Sequence, residues 1–352
     1  MQTVRVKREE EFSDRQFYRE SPMRTDKIAF NVYDFEPWQD MPMCRHPGSD
    51  TILLAVQGDG TMYMDGEAFA LEEGEAVYVP AGTAYSVLAG ENDMVVALAQ
   101  GPTPIGGDCD TALQFKCPAC GLNAPTPVGT GDGASVTCPR CQAALRLART
   151  ADGFTARETG PPKLVEGTAG APGTAPAERP AGSAGGAEEI VVAAPEGEGL
   201  RARVEVPAKI AFSSYNFEPW QVLPMHRNPG SDTILYFAMG QGVVFLEDEL
   251  ESVDDETAVY VPAGATYGIM AGDGDLVVVA MQCPVPVEAE VFGDLGYNCP
   301  ACDLGTPVTT NTETGCVTVC PRCNVKLKLT RVEDGFTAEE TSEPAPASAE
   351  TV

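Results

Sequence analysis

The sequence predicts an all-β fold in which one architecture, a small antiparallel barrel followed by a four-cysteine metal module, occurs twice. Short β-rich runs alternate with Gly and Pro turns, and helical periodicity is almost absent. The chain repeats itself at a constant interval, and each repeat ends in two Cys-x-x-Cys pairs. Many short strands separated by such turns are typical of antiparallel sandwiches and barrels.

The repeat organises the chain. Residues 28–30 (IAF) return at 210–212, and the match continues without a gap at this offset of 182 residues. The stretches FEPWQ and YVPAG, which begin at Phe35 and Tyr78, recur unchanged from Phe217 and Tyr260. A period this long indicates duplicated domains rather than a solenoid of short repeats.

Three strand patterns mark the first barrel. Residues 51–56 form a buried-strand pattern that ends at the turn 58–60. Residues 76–79 lead into a Pro-Ala-Gly turn, and residues 94–99 are the last strong strand. The predicted boundaries are an N-terminal extension at 1–27, barrels at 28–107 and 207–289, four-cysteine modules at 108–159 and 290–341, a linker at 160–206 and a tail at 342–352.

The linker is rich in Pro, Ala, Gly and Glu. Such a composition buries too little apolar surface to offset the entropy of ordering, so we expect a flexible segment there and a disordered tail for the same reason. A random coil of this length spans about 40 Å, at roughly 5–6 Å per square root of residue number. The two halves can therefore pair side by side.

Charge and composition restrict the partners. The chain has 23 Lys and Arg against 52 Asp and Glu, for a net charge of −29. A field of this sign repels nucleic acid and anionic lipid, so neither is an expected partner. No apolar signal segment follows Met1, and no run is long enough to span a bilayer. We therefore expect a cytoplasmic protein, in which twelve cysteines favour metal binding over disulfides.

The barrel landmarks resemble the cupin family. The frame of its second motif is present as Gly74, Pro80 and Gly82, and in the second copy Glu256 replaces the first glycine while Pro262 and Gly264 remain. Gly58 and Gly240 fix the frame of the first motif. The resemblance covers about 28–107 and 210–289. It implies two jelly-roll barrels, each with a metal held by imidazoles and a carboxylate.

The residues at the family's ligand positions differ from that set. Counted from the glycine frames, the four positions of each copy hold Cys44, His46, Thr51 and Tyr85, and His226, Asn228, Thr233 and Tyr267. The chain has two histidines, so neither barrel can assemble three imidazoles. We therefore predict barrels without a catalytic metal.

The Cys44 and His46 pair of the first barrel allows three interpretations. The two residues lie two apart on a strand and face the same side, which would suit a weak metal site or a Cys–His nucleophile pair. Otherwise they are a buried thiol and a hydrogen-bonded imidazole. Trp38 and Trp220, expected near the barrel mouths, either line a small-molecule pocket with Tyr85 and Tyr267 or belong to the core.

The cysteine pairs predict two tetrahedral metal sites. The thiolates are Cys117, Cys120, Cys138 and Cys141 in the first copy and Cys299, Cys302, Cys320 and Cys323 in the second. Two knuckles of this spacing suit structural zinc, and iron fits the same sulfur cage. Cys109, Cys283 and Cys316 have no cysteine at the matching position of the other copy and are poor ligand candidates.

The modules resemble zinc ribbons and rubredoxin-type sites. A cupin followed by two such knuckles also resembles bacterial 3-hydroxyanthranilate 3,4-dioxygenase, whose iron needs two His and a Glu. Those places map here to His46, Thr51 and Tyr85, so the architecture carries over and the catalytic residues do not.

The predicted fold is thus all-β, with two cupin-type jelly-roll barrels, each followed by a zinc-ribbon or rubredoxin-like module. The predicted function is a non-catalytic binding, scaffold or accessory subunit with two structural zinc sites, a protein partner or self-association, and room for a small ligand in the barrels. The alternatives are a cupin dioxygenase or isomerase with an atypical metal site, and a rubredoxin-like electron carrier.

Overall fold

The structure, a computed structural model, describes residues 2–5, 18–110, 112–151, 153–160, 189–191, 202–204, 209–285 and 287–342. These residues form strands and turns and contain no helix, so the all-β prediction is confirmed. None of them forms a helix long and apolar enough to cross a membrane. The greater part of the predicted linker, and residues 343–352 of the predicted tail, lie outside the described residues.

The first half of the chain contributes sixteen of the described strands. They are β1 (Gln2–Arg5), β2 (Tyr18–Arg24), β3 (Ala29–Phe35), β4 (Met43–Arg45), β5 (Asp50–Gln57), β6 (Gly60–Met64), β7 (Glu67–Leu71), β8 (Glu75–Val79), β9 (Ala84–Ala89), β10 (Met94–Gly101), β11 (Asp108–Asp110), β12 (Gln114–Lys116), β13 (Asn123–Pro125), β14 (Ser135–Thr137), β15 (Ala144–Thr150) and β16 (Gly153–Glu158).

The second half contributes the same number. They are β17 (Glu189–Val191), β18 (Ala202–Val204), β19 (Ala211–Phe217), β20 (Val222–Arg227), β21 (Asp232–Met239), β22 (Gly242–Leu246), β23 (Glu249–Val253), β24 (Thr257–Val261), β25 (Thr266–Ala271), β26 (Leu276–Cys283), β27 (Glu290–Val291), β28 (Gly296–Asn298), β29 (Gly305–Pro307), β30 (Val317–Val319), β31 (Lys326–Val332) and β32 (Gly335–Glu340).

The first barrel consists of two curled sheets. One has the strand order β17-β8-β5-β10-β3-β2 and the other β11-β4-β9-β6-β7. Leu53 of β5 and Val96 of β10 belong to the interior core between the sheets. The neighbouring Ile52 and Leu54 are buried as well, so both faces of β5 are covered. This explains why β5 reads as an unbroken apolar run rather than an alternating one.

The second barrel repeats this topology strand for strand. Its sheets have the orders β1-β24-β21-β26-β19-β18 and β23-β22-β25-β20-β27. Leu235 and Val278, which correspond to Leu53 and Val96, again lie in the interior core. Two cupin-like barrels are therefore present, as the repeat predicts.

Each ribbon is a five-stranded sheet. The order is β13-β12-β16-β15-β14 in the first ribbon and β29-β28-β32-β31-β30 in the second. Leu145 and Leu147 of β15 face the ribbon core, as Leu327 and Leu329 do in the second copy. The same cluster in the first copy includes Met43 of the barrel, so barrel and ribbon share an apolar core.

The chain divides into two compact units that do not coincide with its two sequence halves. One unit comprises residues 1–7 and 193–352, and the other residues 8–192. Strand β1 pairs with β24 of the second barrel, whereas β17 pairs with β8 of the first. The segments predicted to be extension and linker thus supply edge strands, because an uncovered sheet edge leaves backbone donors and acceptors unpaired.

Close packing at one turn requires glycine in both copies. Gly58 and Gly240 have positive φ, and a Cβ on either would overlap the carbonyl oxygen of Asp93 or Asp275. A side chain of any size would collide with backbone there. The two glycines that frame the predicted first motif are therefore fixed by sterics.

Candidate metal centres and barrel pockets

Each cysteine pair lies on a tight turn whose shape follows from backbone hydrogen bonds. In the first turn of the first ribbon, the N–H of Cys117 donates to the carbonyl oxygen of Leu122 at 2.8 Å, and the N–H of Gly121 donates to that of Cys117 at 2.9 Å. The residue after the second cysteine has positive φ in all four turns: Gly121, Gln142, Asp303 and Asn324. This left-handed residue turns the chain so that both sulfurs point to one centre.

The four sulfurs of the first ribbon converge. The Sγ atoms of Cys117 and Cys141 are 3.6 Å apart, and so are those of Cys120 and Cys138. A tetrahedral zinc with bonds of about 2.3 Å has sulfur–sulfur edges of about 3.8 Å. The observed spacing therefore fits one ion at the centre of the cluster.

The second ribbon has the same geometry. Cys299 and Cys323 bring their Sγ atoms to 3.6 Å, as do Cys302 and Cys320. Within each ribbon all four sulfurs lie within 4.8 Å of one another. Among the described residues, these two clusters are the groups of three or more His, Cys, Asp or Glu side chains arranged to hold a metal ion.

The electrostatics of the clusters favour a bound cation. Burial raises the pKa of Cys320 to about 12, whereas the backbone N–H of Val325 lowers the pKa of Cys323 to about 7. Burial also opposes ionisation of Cys117, but the backbone amides of Cys120 and Ala119 lower its pKa overall. Four thiolates this close repel one another, so the fully ionised ligand set requires a cation between them.

The interior of the first barrel holds a chain of hydrogen-bonded polar side chains. The Nε2 of Gln100 donates to the Oγ1 of Thr51 at 3.3 Å and to the hydroxyl of Tyr85 at 3.5 Å. The Nδ2 of Asn31 donates to the Oε1 of Gln100 at 3.4 Å, and Arg19 donates to the Oδ1 of Asn31 at 3.0 Å. Thr51 and Tyr85, at the positions expected to hold a carboxylate and an imidazole, are thus engaged by the neutral amide of Gln100, and the chain of hydrogen bonds ends at the Arg19 guanidinium.

His46 lies at the edge of this network. Its ring centroid is 5.8 Å from that of Tyr85. Burial lowers the pKa of His46, with a smaller opposing effect from the Gly106 backbone. Burial raises the pKa of Tyr85 above its ordinary value. Both side chains are therefore held in their neutral forms near pH 7.

The second barrel carries a related network with different donors. The Nδ2 of Asn228 donates to the Oγ1 of Thr233 at 3.2 Å and to the hydroxyl of Tyr267 at 3.4 Å. Gln282 donates to the same Thr233 hydroxyl at 3.3 Å. The Oδ1 of Asn228 is buried and has no hydrogen-bond partner among the described residues. The Nδ1 of His226 lies 2.9 Å from the carbonyl oxygen of Pro224, with its ring 4.1 Å from that of Tyr267.

One expectation for the first barrel is wrong. The sequence predicts a buried free thiol at Cys44, with a soft metal site or a nucleophile as alternatives; its Sγ is instead bonded to Cys109. The two residues lie directly opposite each other on β4 and β11. Comparison of the copies offers no sign of this pairing, because the second copy has His226 and Val291 at these positions.

The two tryptophans pack against apolar core residues at the barrel–ribbon junctions. Trp38 packs against the apolar core of the first ribbon, with the Arg140 guanidinium 5.9 Å from its ring centroid, and Trp220 packs against the core of the second ribbon. Both have positive φ, 67° and 68°, which is unusual for a bulky residue. Their backbone N–H groups donate to the carbonyl oxygens of Gly90 and Gly272 in the barrels, while their side chains contact the ribbon cores, so they join ribbon to barrel.

In the second copy Trp220 also borders a groove of about 620 Å³. The groove lies between barrel and ribbon, with Pro321 of the second cysteine turn and Met270 of β25 among its walls. Glu251, Asp254 and Asp273 give it an acidic lining. Tyr267, with which Trp220 is expected to line a pocket, is not among the residues of this groove.

Sequence reasoning missed the glutamines of the barrel networks. Gln100 and Gln282 are buried near the ends of otherwise apolar strands. A glutamine at the same place in an apolar strand of both copies could have indicated a buried hydrogen-bonding role. The sequence gives no such indication for Asn31, whose counterpart is Ser213, or for Arg19, which precedes the repeat.

Comparison with known proteins agrees with this geometry. A family model described as a cupin domain matches residues 31–99. No curated protein sequence matches the chain.

Two solved structures illustrate the fold. A point mutant of Bacillus subtilis oxalate decarboxylase superposes with a TM-score of 0.53 at 13% identity, over 84% of this chain and 80% of that one. Procruciferin, an 11S globulin from Brassica napus, has a TM-score of 0.50 at 10% identity, over 76% and 78% of the two chains. At such identities the likeness concerns the fold alone. The chain is accordingly a two-barrel protein of cupin fold, with a cupin domain at residues 31–99 and a four-cysteine cluster after each barrel.

Proposed function

We propose that this protein is a non-catalytic bicupin that serves as a binding, scaffold or accessory subunit and carries two structural zinc ions. The carrying observation is where the metal-binding groups lie. Eight sulfurs gather in the ribbons, while the ligand positions of each barrel hold a single imidazole among hydroxyl, amide and disulfide-bonded side chains.

The barrel chemistry argues against a catalytic metal. Thr51 and Thr233 stand at the carboxylate positions and offer neutral hydroxyls, which compensate little of a divalent charge. Tyr85 would ligate as a phenolate, and burial raises its pKa. Each threonine is already engaged by a glutamine amide. The likeness to oxalate decarboxylase supports the fold and does not supply the missing ligands.

The ribbon chemistry argues for a structural ion. A tetrathiolate site leaves no open coordination position, so zinc there would cross-link the two turns of a ribbon rather than meet a substrate. Phe115 and Leu145 pack against the cysteines in the first ribbon, as Tyr297 and Leu327 do in the second. The ion would thus complete a small apolar core.

Elemental analysis of the natively purified protein tests this proposal. Two equivalents of zinc per chain are expected. Additional iron, manganese or nickel that depends on the barrels would favour a cupin dioxygenase or isomerase. A red iron form of the ribbons with reversible one-electron reduction would favour the rubredoxin-like carrier.

A barrel variant refines the analysis. Replacing both Cys44 and His46 with alanine should leave the metal content unchanged, because neither is expected to hold an ion. The matched control is Cys117→Ser, which should lose one equivalent. Loss of a metal together with an activity in the double variant would reject the non-catalytic assignment.

Partner binding is the remaining part of the proposal. We place the protein in the cytoplasm, with a protein partner, self-association, or a small ligand in the barrels. A protease site introduced between residues 161 and 188 should yield two fragments that elute as one species. Free separation of the halves on a sizing column would reject it.

A further inference from the structure

The disulfide ties the first barrel to the strand that leads into its ribbon. Cys44 is 8% exposed and lies on the barrel strand β4, while Cys109 lies on β11, a three-residue strand exposed along its length. Their Cα atoms are 4.1 Å apart. One sulfur of the pair therefore belongs to a buried residue and the other to a residue that solvent reaches.

The tied segment, residues 107–110, lies against His46 at the edge of the polar network in the first barrel. Gly107 directly precedes β11 and lies so close to His46 that a methyl group on Gly107 would overlap the imidazole Nδ1. Cys44 pairs with Tyr85, whose hydroxyl accepts from Gln100 inside the barrel. The disulfide thus holds a strap over the polar network.

The second copy holds the equivalent strap without a covalent bond. His226 and Val291 occupy the matching positions and keep the same register. Arg227 and Glu290 form an ion pair at 2.6 Å, with side chains 42% and 51% exposed. Exposed pairs of this kind contribute little to stability. The register therefore forms without a disulfide, and the covalent bond of the first copy is an added restraint against local opening of this short, exposed strand.

Cys44 and Cys109 form a disulfide, whereas the other ten cysteines do not. Eight of them belong to the clusters, Cys283 is buried, and Cys316 is exposed with no second thiol paired to it among the described residues. In a reducing compartment, protein disulfides that do form are usually redox-active rather than structural. The tetrathiolate sites need reduced sulfur, so the same chain holds reduced cysteines in its ribbons and an oxidised pair in its first barrel.

We propose that Cys44–Cys109 is a reversible thiol–disulfide switch that releases the strap from His46 and the polar network of the first barrel when a dithiol reductant acts on it. A thiolate of the reductant attacks the Sγ of Cys109, the Cys44–Cys109 bond breaks, and Cys44 leaves as a thiolate that takes up a proton. The second thiol of the reductant then displaces Cys109 and yields the oxidised reductant. Two electrons and two protons pass to the protein, and a low-molecular-weight disulfide reverses the change.

Control of access to the barrel interior rests on the proposed function, which includes a small ligand in the barrels. The experiment uses the full-length, metal-loaded protein in oxidised form and after mild treatment with dithiothreitol, with metal content measured in both. Mass spectrometry after alkylation should show Cys44 and Cys109 as the newly reactive pair. Amide exchange in residues 101–110 should quicken at least tenfold on reduction, while residues 287–291 remain unchanged.

Variants separate the switch from general loosening. Cys109→Val, which copies Val291, should exchange rapidly under both conditions, and Cys316→Ser should behave like the parent. Introducing cysteines at His226 and Val291 should make residues 287–291 redox-sensitive. A pair that resists reduction, or exchange that ignores it, would overturn the switch even with two zincs bound. A barrel metal would instead reject the proposed function and leave the thiol chemistry standing.

Discussion

The two copies share their scaffold and differ at the junction between barrel and ribbon. In both, a buried aspartate fixes the Pro-Ala-Gly turn: Asp50 accepts from the Tyr78 hydroxyl and the Ala81 N–H, and Asp232 accepts from the Tyr260 hydroxyl at 2.9 Å and the Ala263 N–H at 3.1 Å. The ladders around these residues have the same strand order. Both copies therefore hold this turn with the same pair of hydrogen bonds.

The contacts at and near the barrel–ribbon junction differ between the two copies. The disulfide of the first copy has His226 and Val291 at its positions in the second, next to an exposed ion pair of Arg227 and Glu290. Asp40, which accepts from Gln114 of the first ribbon, corresponds to Val222. Arg146 faces Arg157 across two strands, whereas Lys328 faces Glu339. The fold therefore tolerates different contacts at these positions, and each copy serves as a control for the other.

The largest effect should come from the clusters, which the copies share. Cys117→Ser or Cys299→Ser should unfold its own ribbon while the barrel persists, because structural zinc contributes roughly 10–16 kcal/mol of apparent binding free energy in small peptides. Zinc content and limited proteolysis check this. Full metal occupancy in either variant would contradict it, and the untouched ribbon is the internal control.

The next effect concerns the disulfide. Cys109→Val should lower the free energy of unfolding of the first barrel by about 4 kcal/mol, the chain-entropy value for a separation of 65 residues. Urea denaturation without reductant would show the difference, and addition of reductant should abolish it. Equal stability of parent and variant under oxidising conditions would disprove the prediction.

Asp40 should make the first junction sensitive to pH. Burial raises the pKa of Asp40 to about 6, with the Gln114 hydrogen bond opposing it. Since the unfolded carboxyl titrates near pH 4, the folded state binds the proton more tightly, and the resulting stability is fully present below pH 4 and lost as pH rises through 6. Above pH 6 the ionised group costs about 2–3 kcal/mol, at 1.36 kcal/mol per unit.

Asp40→Asn keeps a hydrogen-bonding partner for Gln114 and removes the charge. It should raise the free energy of unfolding at pH 8 and leave it nearly unchanged at pH 4. Thermal denaturation at the two pH values measures this difference, with Val222→Asn as the control at the equivalent position. A parent protein whose stability does not change between pH 4 and 6 would show that Asp40 is not buried in its charged form.

The smallest effect concerns the facing arginines. Like charges directly opposite on antiparallel strands are unfavourable, so Arg157→Glu should stabilise the first ribbon by about 0.2–1 kcal/mol. The reciprocal Glu339→Arg should destabilise the second ribbon by a similar amount. Salt should reduce both changes, and a difference that is insensitive to salt would point to packing instead.

Much of the architecture could be predicted from the sequence. The strands around Leu53 and Val96 follow from apolar runs between Gly and Pro turns, and Gly58 marks a place where no side chain fits. The spacing of Cys117 and Cys120 fixes a turn that points both sulfurs to one centre. These features depend on residues close together in the chain, so local chemistry determines them.

The sequence could not show contacts between residues far apart in the chain. The Cys44–Cys109 pair depends on β11 returning beside β4. The position of Trp38 depends on where the ribbon core lies, and the exchange of β1 depends on which sheet edge is open. Neither composition nor spacing along the chain shows which distant residues come into contact.

The sequence by itself thus determined the duplication, the strands, the turns and the two ligand sets, because repeats, periodicity and short spacings are written along the chain. The tertiary structure alone decided which cysteines pair, which side chains fill the barrels and where the tryptophans pack. Those outcomes arise when packing brings together segments far apart in the chain, such as Thr51 and Gln100, and the free energy of each contact depends on the burial that the fold creates.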